Sequence, residues 1–205
     1  MNPNLSSTVS TRRQLLLKSL PAGTLFCFGC SRLSAFEGRQ PAPPKHKFSE
    51  TSGMTFEEVF KFAFQNGFIP VLKGLAEDIG KDKFDALLRK ACARAATEEA
   101  KRMWKDLPKR DPAALLAPLK GKDPFWQHVV TFEIVEETDK TAEVRITECL
   151  WAKTFREVNA GDLGYSAICY PDYAAAPAFN PKMKLVRAKT LMQGHDCCNP
   201  RWVLG

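Results

Sequence analysis

The hydrophobic period of this chain changes once, and that change most restricts its fold. Residues 82–104, DKFDALLRKACARAATEEAKRMW, place Phe84, Leu87, Leu88, Ala91 and Ala95 at helical spacing, with charge on the other face. After KDP the period becomes two. Trp126, His128, Val130, Phe132 and Ile134 alternate with Gln127, Val129, Thr131, Glu133 and Val135; EETDK then supplies a turn, and Ala142, Val144 and Ile146 return. Helical periodicity followed by paired strands predicts an α+β fold, with N-terminal helices followed by an antiparallel sheet and helices packed on it.

The flanking segments fill in this frame. Thr55 with Glu58 three residues later is a capping box opening a helix, and Pro70 starts a second helical stretch ending at Gly80. AKTFREV reads as a short helix, GDLG as a loop, and YSAICYPDYAAA as a helix kinked or started at Pro171. Residues 182–192, KMKLVRAKTLM, alternate again up to Gly194. CNPRWVL is the returning strand, which Pro200 confines to an edge or a bulge.

Charge excludes one class of partner. The chain carries 30 Lys and Arg against 23 Asp and Glu, a net +7. Arg12, Arg13, Lys18 and Arg32 lie in the first 35 residues, which contain no acid. The remainder therefore has 26 basic and 23 acidic side chains, only +3, with no basic stripe for nucleic acid. No apolar run reaches the roughly 20 residues of a transmembrane helix. The N-terminus instead resembles a twin-arginine export signal, with Thr11, Arg12, Arg13, Gln14 and Leu15 in the usual order before an apolar run. This implies recognition by the export machinery and a periplasmic location. Lys18 falls one place late, and Pro21 interrupts the run. Cys30 after Gly29 is a candidate lipid-anchored cysteine, although Cys27 stands where a lipobox prefers Leu. Residues 36–54 are Pro-rich and polar and read as a linker, leaving 55–205 as the folded domain.

Sulfur and acid side chains are spread along the second half. Cys92 lies beside a helical apolar stripe and is assigned packing, and His128 shares the apolar parity of its strand. Cys149 has the opposite parity to Ala142, Val144 and Ile146. Tyr165 and Cys169 are one helical turn apart, with Asp172 three residues on. Near the end comes QGHDCCNPRW, in which the adjacent Cys197 and Cys198 point to opposite faces of a strand.

The ordered set Cys149, Leu163-Gly164, Cys169 with Asp172, Thr190-Leu191 with Gly194, and Cys198-Asn199-Pro200-Arg201-Trp202 resembles the L-2-amino-thiazoline-4-carboxylic acid hydrolase family. The motifs cover residues 147–203. Asn199 replaces the family's Asp and Pro200 its aromatic residue. The resemblance implies a small-molecule hydrolase that opens a cyclic amidine-like C–N bond by adding water at the amidine carbon. Cys169 is the candidate nucleophile, Asp172 the acid/base and His195 a second proton carrier. Tyr165, Cys149, Cys198 and Arg201 are candidate substrate contacts, Arg201 through its planar fork to a carboxylate.

Other readings stand beside this one. Cys169 can pack in the core, Asp172 can cap a helix, and His195-Asp196 can be turn chemistry. No cofactor is expected. The alternative is a noncatalytic, exported binding module that holds a small ligand or a thiolate-bound metal at Cys149, Cys169 and Cys198, although no standard zinc spacing is present. A Cys149–Cys169 disulfide is a third possibility in an oxidising compartment.

Overall fold

The computed structural model describes residues 53–121 and 124–205. The export signal, Cys30 and nearly all of the linker lie outside the described residues. Thr55 caps α1 (Phe56–Ala63) as its sequence predicts: its hydroxyl accepts from the Glu58 amide at 3.2 Å, and the Glu58 carboxylate accepts from the Thr55 amide at 2.7 Å. Pro70 does not start a separate helix. A π turn (Phe64–Phe68), closed by the Ile69 amide on the Phe64 carbonyl, runs directly into α2 (Ile69–Ile79). Gly80, at φ +92°, breaks the helix as expected, and α3 (Lys81–Met103) follows. Phe84 of α3 is buried, whereas Leu87 of the expected stripe faces solvent.

Short helices α4 (Pro112–Leu115), α5 (Ala117–Lys120) and α6 (Pro124–Val129) lead to the sheet. The alternation expected from Trp126 is helical up to Val129. Proline suits a first helical position, and the rings of Phe125 and Trp126 pack on Trp151 at 5.7 and 6.2 Å. His128 is therefore an exposed helical residue, its ring 5.2 Å from that of Phe56, and not a strand residue.

The hairpin is β1 (Val130–Glu137) with β2 (Thr141–Cys149), turned by Thr138, whose hydroxyl accepts from the amides of Lys140 and Thr141. Ala142 and Val144 are fully buried, as their parity predicts. Then come α7 (Leu150–Glu157), α8 (Gly161–Gly164), a second π turn (Tyr165–Cys169) and α9 (Asp172–Phe179). GDLG is thus a helical turn rather than a loop. Strands β3 (Met183–Val186) and β4 (Arg201–Leu204) complete an antiparallel sheet of order β1-β2-β4-β3. The fold is α+β, with helices preceding the sheet and further helices packed on it.

Two expectations for the last strands are corrected. Strand β3 ends at Val186 because the amides of Ala188 and Lys189 bond to the Asn199 side chain, at 3.1 and 2.7 Å, and not to a neighbouring strand. Strand β4 is central, not an edge. Pro200 sits just ahead of it, where its carbonyl accepts from Val144 and its missing N–H breaks no pairing within the strand.

The main helical core joins Ile69, Leu72, Phe84, Phe155, Ala167 and Met192, and the partly buried Cys149, Tyr165, Cys169 and Leu191 pack against it. A second cluster sets Phe179 of α9 on Met183 and Leu185 of β3. Cys149, Tyr165 and Cys169 lie where the helical core meets the end of β2.

Candidate functional site

Four chain segments deliver the site. Strand β2 ends at Cys149, which is also the N-cap of α7. The second π turn carries Tyr165 and Cys169, closed by the Tyr170 amide on the Tyr165 carbonyl at 2.8 Å; such turns widen a helix and often occur at functional sites. It is tethered to the core by Gly164, where an added Cβ would lie 2.6 Å from Met192 Sδ and 2.8 Å from the Phe155 ring. Asp172 opens α9 immediately after Pro171. Cys198 forms an antiparallel bridge with Ile146 of β2, both bonds 2.9 Å long.

The residue that links these segments lies outside the ordered motifs. Arg187 follows the last residue of β3 and continues the inward parity of Met183 and Leu185. Only 5% of its side chain is exposed. Its guanidinium donates to Asp172 Oδ2 at 2.9 Å and to the Cys169 carbonyl at 2.5 Å, and lies 5.1 Å from the centre of the Tyr173 ring. A charged residue on the buried parity of a strand was the signal available, since such a charge requires a partner.

Burial sets the protonation of the group. Burial pushes the Cys169 thiol up to about 12; Arg187 opposes this, while Asp172, Cys149 and Cys198 add to it. Burial also raises Cys198, against the Leu191 amide, which donates to its sulfur at 3.1 Å, and against Arg187. Cys149 is raised by burial too, and the pull of the Ala152 and Trp151 amides at the start of α7 does not reverse it. All three thiols therefore rest protonated at neutral pH. Burial likewise raises Tyr165, which also interacts with Tyr173 and Arg187. Burial works against the charge of Arg187, but Asp172 outweighs it and the pKa is raised.

Asp172 has a double character. Burial is the largest influence on its carboxyl and raises its pKa against the pull of Arg187, yet 49% of its side chain is accessible. The carboxyl is surrounded by protein yet open to solvent on one side.

The structure thus brings Cys169, Cys198, Asp172 and Tyr165 near Arg187, with Cys149 beside Cys169, Cys198 and Asp172. It places the other two candidates elsewhere. His195 is exposed in the turn after Gly194, where its Nδ1 faces the Thr190 amide and carbonyl at 3.3 and 3.1 Å. Arg201 is paired in register with Glu143 on one side and the exposed Val186 on the other; residues paired in this way share a sheet face, opposite to that of Arg187. Its guanidinium is engaged with Glu136 at 2.9 Å and Glu143 at 3.3 Å. Cys197 points away from the group, toward Arg145, Lys189 and Asp196. Asn199 fills the acceptor role open to an aspartate, so this departure from the family pattern keeps a structural contact.

A cavity of about 450 Å³ opens between α6, the open end of the β1–β2 hairpin and α7, lined by Thr131, Thr147, Lys153 and Leu191 among others. Of the gathered residues Cys149 lines it, whereas Cys169, Cys198, Asp172, Tyr165 and Arg187 do not. Among the described residues no three His, Cys, Asp or Glu side chains form a metal-holding group, and Cys149, Cys169 and Cys198 are free thiols, not a disulfide. No helix among the described residues is long and apolar enough to cross a membrane.

Fold and site together define a small α+β domain holding a partly buried thiol–carboxylate–guanidinium group. The chain belongs to the L-2-amino-thiazoline-4-carboxylic acid hydrolase family, which it matches over residues 58–202. No curated protein matches it. Solved structures similar to it include the phenol-responsive sensory domain of the transcription activator PoxR with phenol, at 13% identity and TM-score 0.43, covering 66% of this chain and 72% of that one. A trafficking protein particle complex subunit 3 from Naegleria fowleri, covalently bound to palmitic acid, is similar at 11% identity and TM-score 0.43, covering 73% and 95%. An Fe(II) unliganded H-NOX protein from K. algicida is similar at 14% identity and TM-score 0.39, covering 65% and 69%.

Proposed function

We propose that the protein is an exported, periplasmic small-molecule hydrolase of the thiazoline-carboxylate type, which adds water at an amidine carbon and opens a ring C–N bond. The observation that carries this reading is the gathering of Cys149, Cys169, Cys198 and Asp172 in a chain of this family. In this reading Cys169 attacks the amidine carbon while Asp172 takes the thiol proton in the same step. The thiol is a poor resting nucleophile at about 12, but it still yields its proton more readily than water, with a pKa near ~15.7. Asp172 then returns the proton to the departing ring nitrogen, and water releases the product from the sulfur with the carboxylate again acting as base. The substrate enters by the cavity that Cys149 lines.

A noncatalytic ligand-binding role is the second reading, favoured by the protonated state of all three thiols. Turnover of L-2-amino-thiazoline-4-carboxylate by Cys169→Ser and Cys92→Ser variants separates the two. The hydrolase reading expects Cys169→Ser to lose about three orders of magnitude in rate or more while Cys92→Ser retains activity. Equal rates in the two variants remove Cys169 from the chemistry.

A further inference from the structure

Arg187 holds a donor with nothing to donate to. Among the described residues two buried side-chain polar atoms lack a hydrogen-bond partner, Thr154 Oγ1 and Arg187 Nε. A threonine hydroxyl is neutral and can rotate toward another acceptor. The guanidinium is charged and planar, and two of its bonds, to Asp172 and to the Cys169 carbonyl, fix its plane, so Nε–H cannot turn away. An unsatisfied charged donor is a costly feature to keep in a folded protein, and the natural resolution is a ligand that supplies the acceptor.

The surroundings specify that acceptor. The thiols around Arg187 rest neutral and provide no competing anion. Asp172 spends Oδ2 on Arg187 and keeps half of its side chain accessible. A ligand here therefore meets a donor and an acceptor side by side. We infer that Arg187 is the residue that recognises the ligand's carboxylate, through Nε–H, while the accessible side of Asp172 takes an N–H group of the same molecule. The ligand class is a small compound with a carboxylate and an amidine or amine a few bonds apart. This rests on reading the thiol group as a small-molecule site, and it assigns to Arg187 the role that its sequence position suggested for Arg201. In the present conformation Nε is covered, and the centre of the Tyr173 ring lies 5.1 Å from the guanidinium carbon; binding through Nε requires this partly buried ring to shift.

The test is binding, which is independent of turnover. The affinity of the full chain is measured by calorimetry for L-2-amino-thiazoline-4-carboxylate and for its 4-carboxamide, which has the same shape without the charge. The wild type is expected to prefer the carboxylate by about tenfold or more, and Arg187→Lys, which keeps the charge but loses the fork, to reduce that preference to about threefold or less. A wild type that binds both equally, or neither, overturns the inference. So does a folded Arg187→Lys variant that keeps the full preference. Should that variant fail to fold, a structure of the wild type with the carboxylate decides: an oxygen within hydrogen-bond reach of Arg187 Nε supports the assignment, and a carboxylate bound elsewhere refutes it. Carboxylate preference without hydrolysis sinks the enzyme reading alone, and hydrolysis without the preference sinks this assignment alone.

Discussion

Cys169 should behave as an unusually weak acid, and that can be measured directly. Its pKa of about 12 stands three units above the ordinary 9.0. Well below pH ~9 its thiolate fraction is then about a thousandfold smaller than that of an unperturbed thiol. Intrinsic nucleophilicity rises with pKa at a Brønsted slope of about 0.4–0.5, returning roughly 16- to 30-fold. The net expectation is a reaction about 30- to 60-fold slower at neutral pH, before any loss from restricted access. Access alters the absolute rate but not its dependence on pH. The assay is residue-resolved mass spectrometry of labelling by a small disulfide across a pH series. The rate at Cys169 should still climb about tenfold per unit at pH ~10. Asp172→Asn removes a neighbouring negative charge, so it should lower the Cys169 pKa and speed labelling at fixed pH. Saturation of the wild-type rate at or below pH ~9 would refute the reasoning, as would slower labelling in Asp172→Asn.

Three further outcomes concern the frame around the site. Gly164→Ala inserts a methyl group into the Phe155–Met192 contact and should cost about 1–3 kcal/mol in denaturant unfolding. Asn199→Ala gives up two bonds to partly exposed amides and should cost about 1–2 kcal/mol, whereas Asn199→Asp should change stability by less than about 0.5 kcal/mol because a carboxylate oxygen accepts both bonds equally well. Asp111 is held below its ordinary 3.8 by Lys109, aided by the Ala114 amide that it caps. A lowered folded pKa means that its contribution is complete above the unfolded value and fades as pH falls through the folded one. The stability advantage of wild type over Asp111→Asn, followed by thermal unfolding, should therefore shrink on acidification from about pH 5 toward pH 2.

Much of the fold was legible wherever a local rule decides the structure. The Thr55–Glu58 box is set within one turn of chain and stands as its residues predict. Helix α3 forms, but Leu87, Ala91 and Ala95 of its expected stripe are exposed, because tertiary packing and not local pattern chooses the face that Phe84 and Ala100 bury. Ala142 and Val144 follow from parity alone. The segment after Pro124 misled because a short aromatic helix and a half-buried strand can share the same alternation of large and small side chains; packing on Trp151 settles the matter, and that contact is invisible in sequence. Strand order is likewise a tertiary property, which is why Pro200 suggested an edge although β4 lies inside the sheet. The ordered motifs single out Cys149, Cys169, Asp172 and Cys198, which the fold brings near one another. Arg201 drew attention by belonging to those motifs, but its register with Val186 turns it to the other face. Arg187 belongs to none of them, although its parity with Met183 and Leu185 marks it as a buried charge.

The most direct test of the account is whether the purified full chain opens the ring of L-2-amino-thiazoline-4-carboxylate. Substrate loss and the appearance of a product heavier by one water would be followed by mass spectrometry, with Asp172→Asn run in parallel after its folding is checked. The account predicts turnover by the wild type, reduced by about a hundredfold or more when the carboxylate is replaced. Binding of the compound without hydrolysis, or equal hydrolysis by Asp172→Asn, would contradict it.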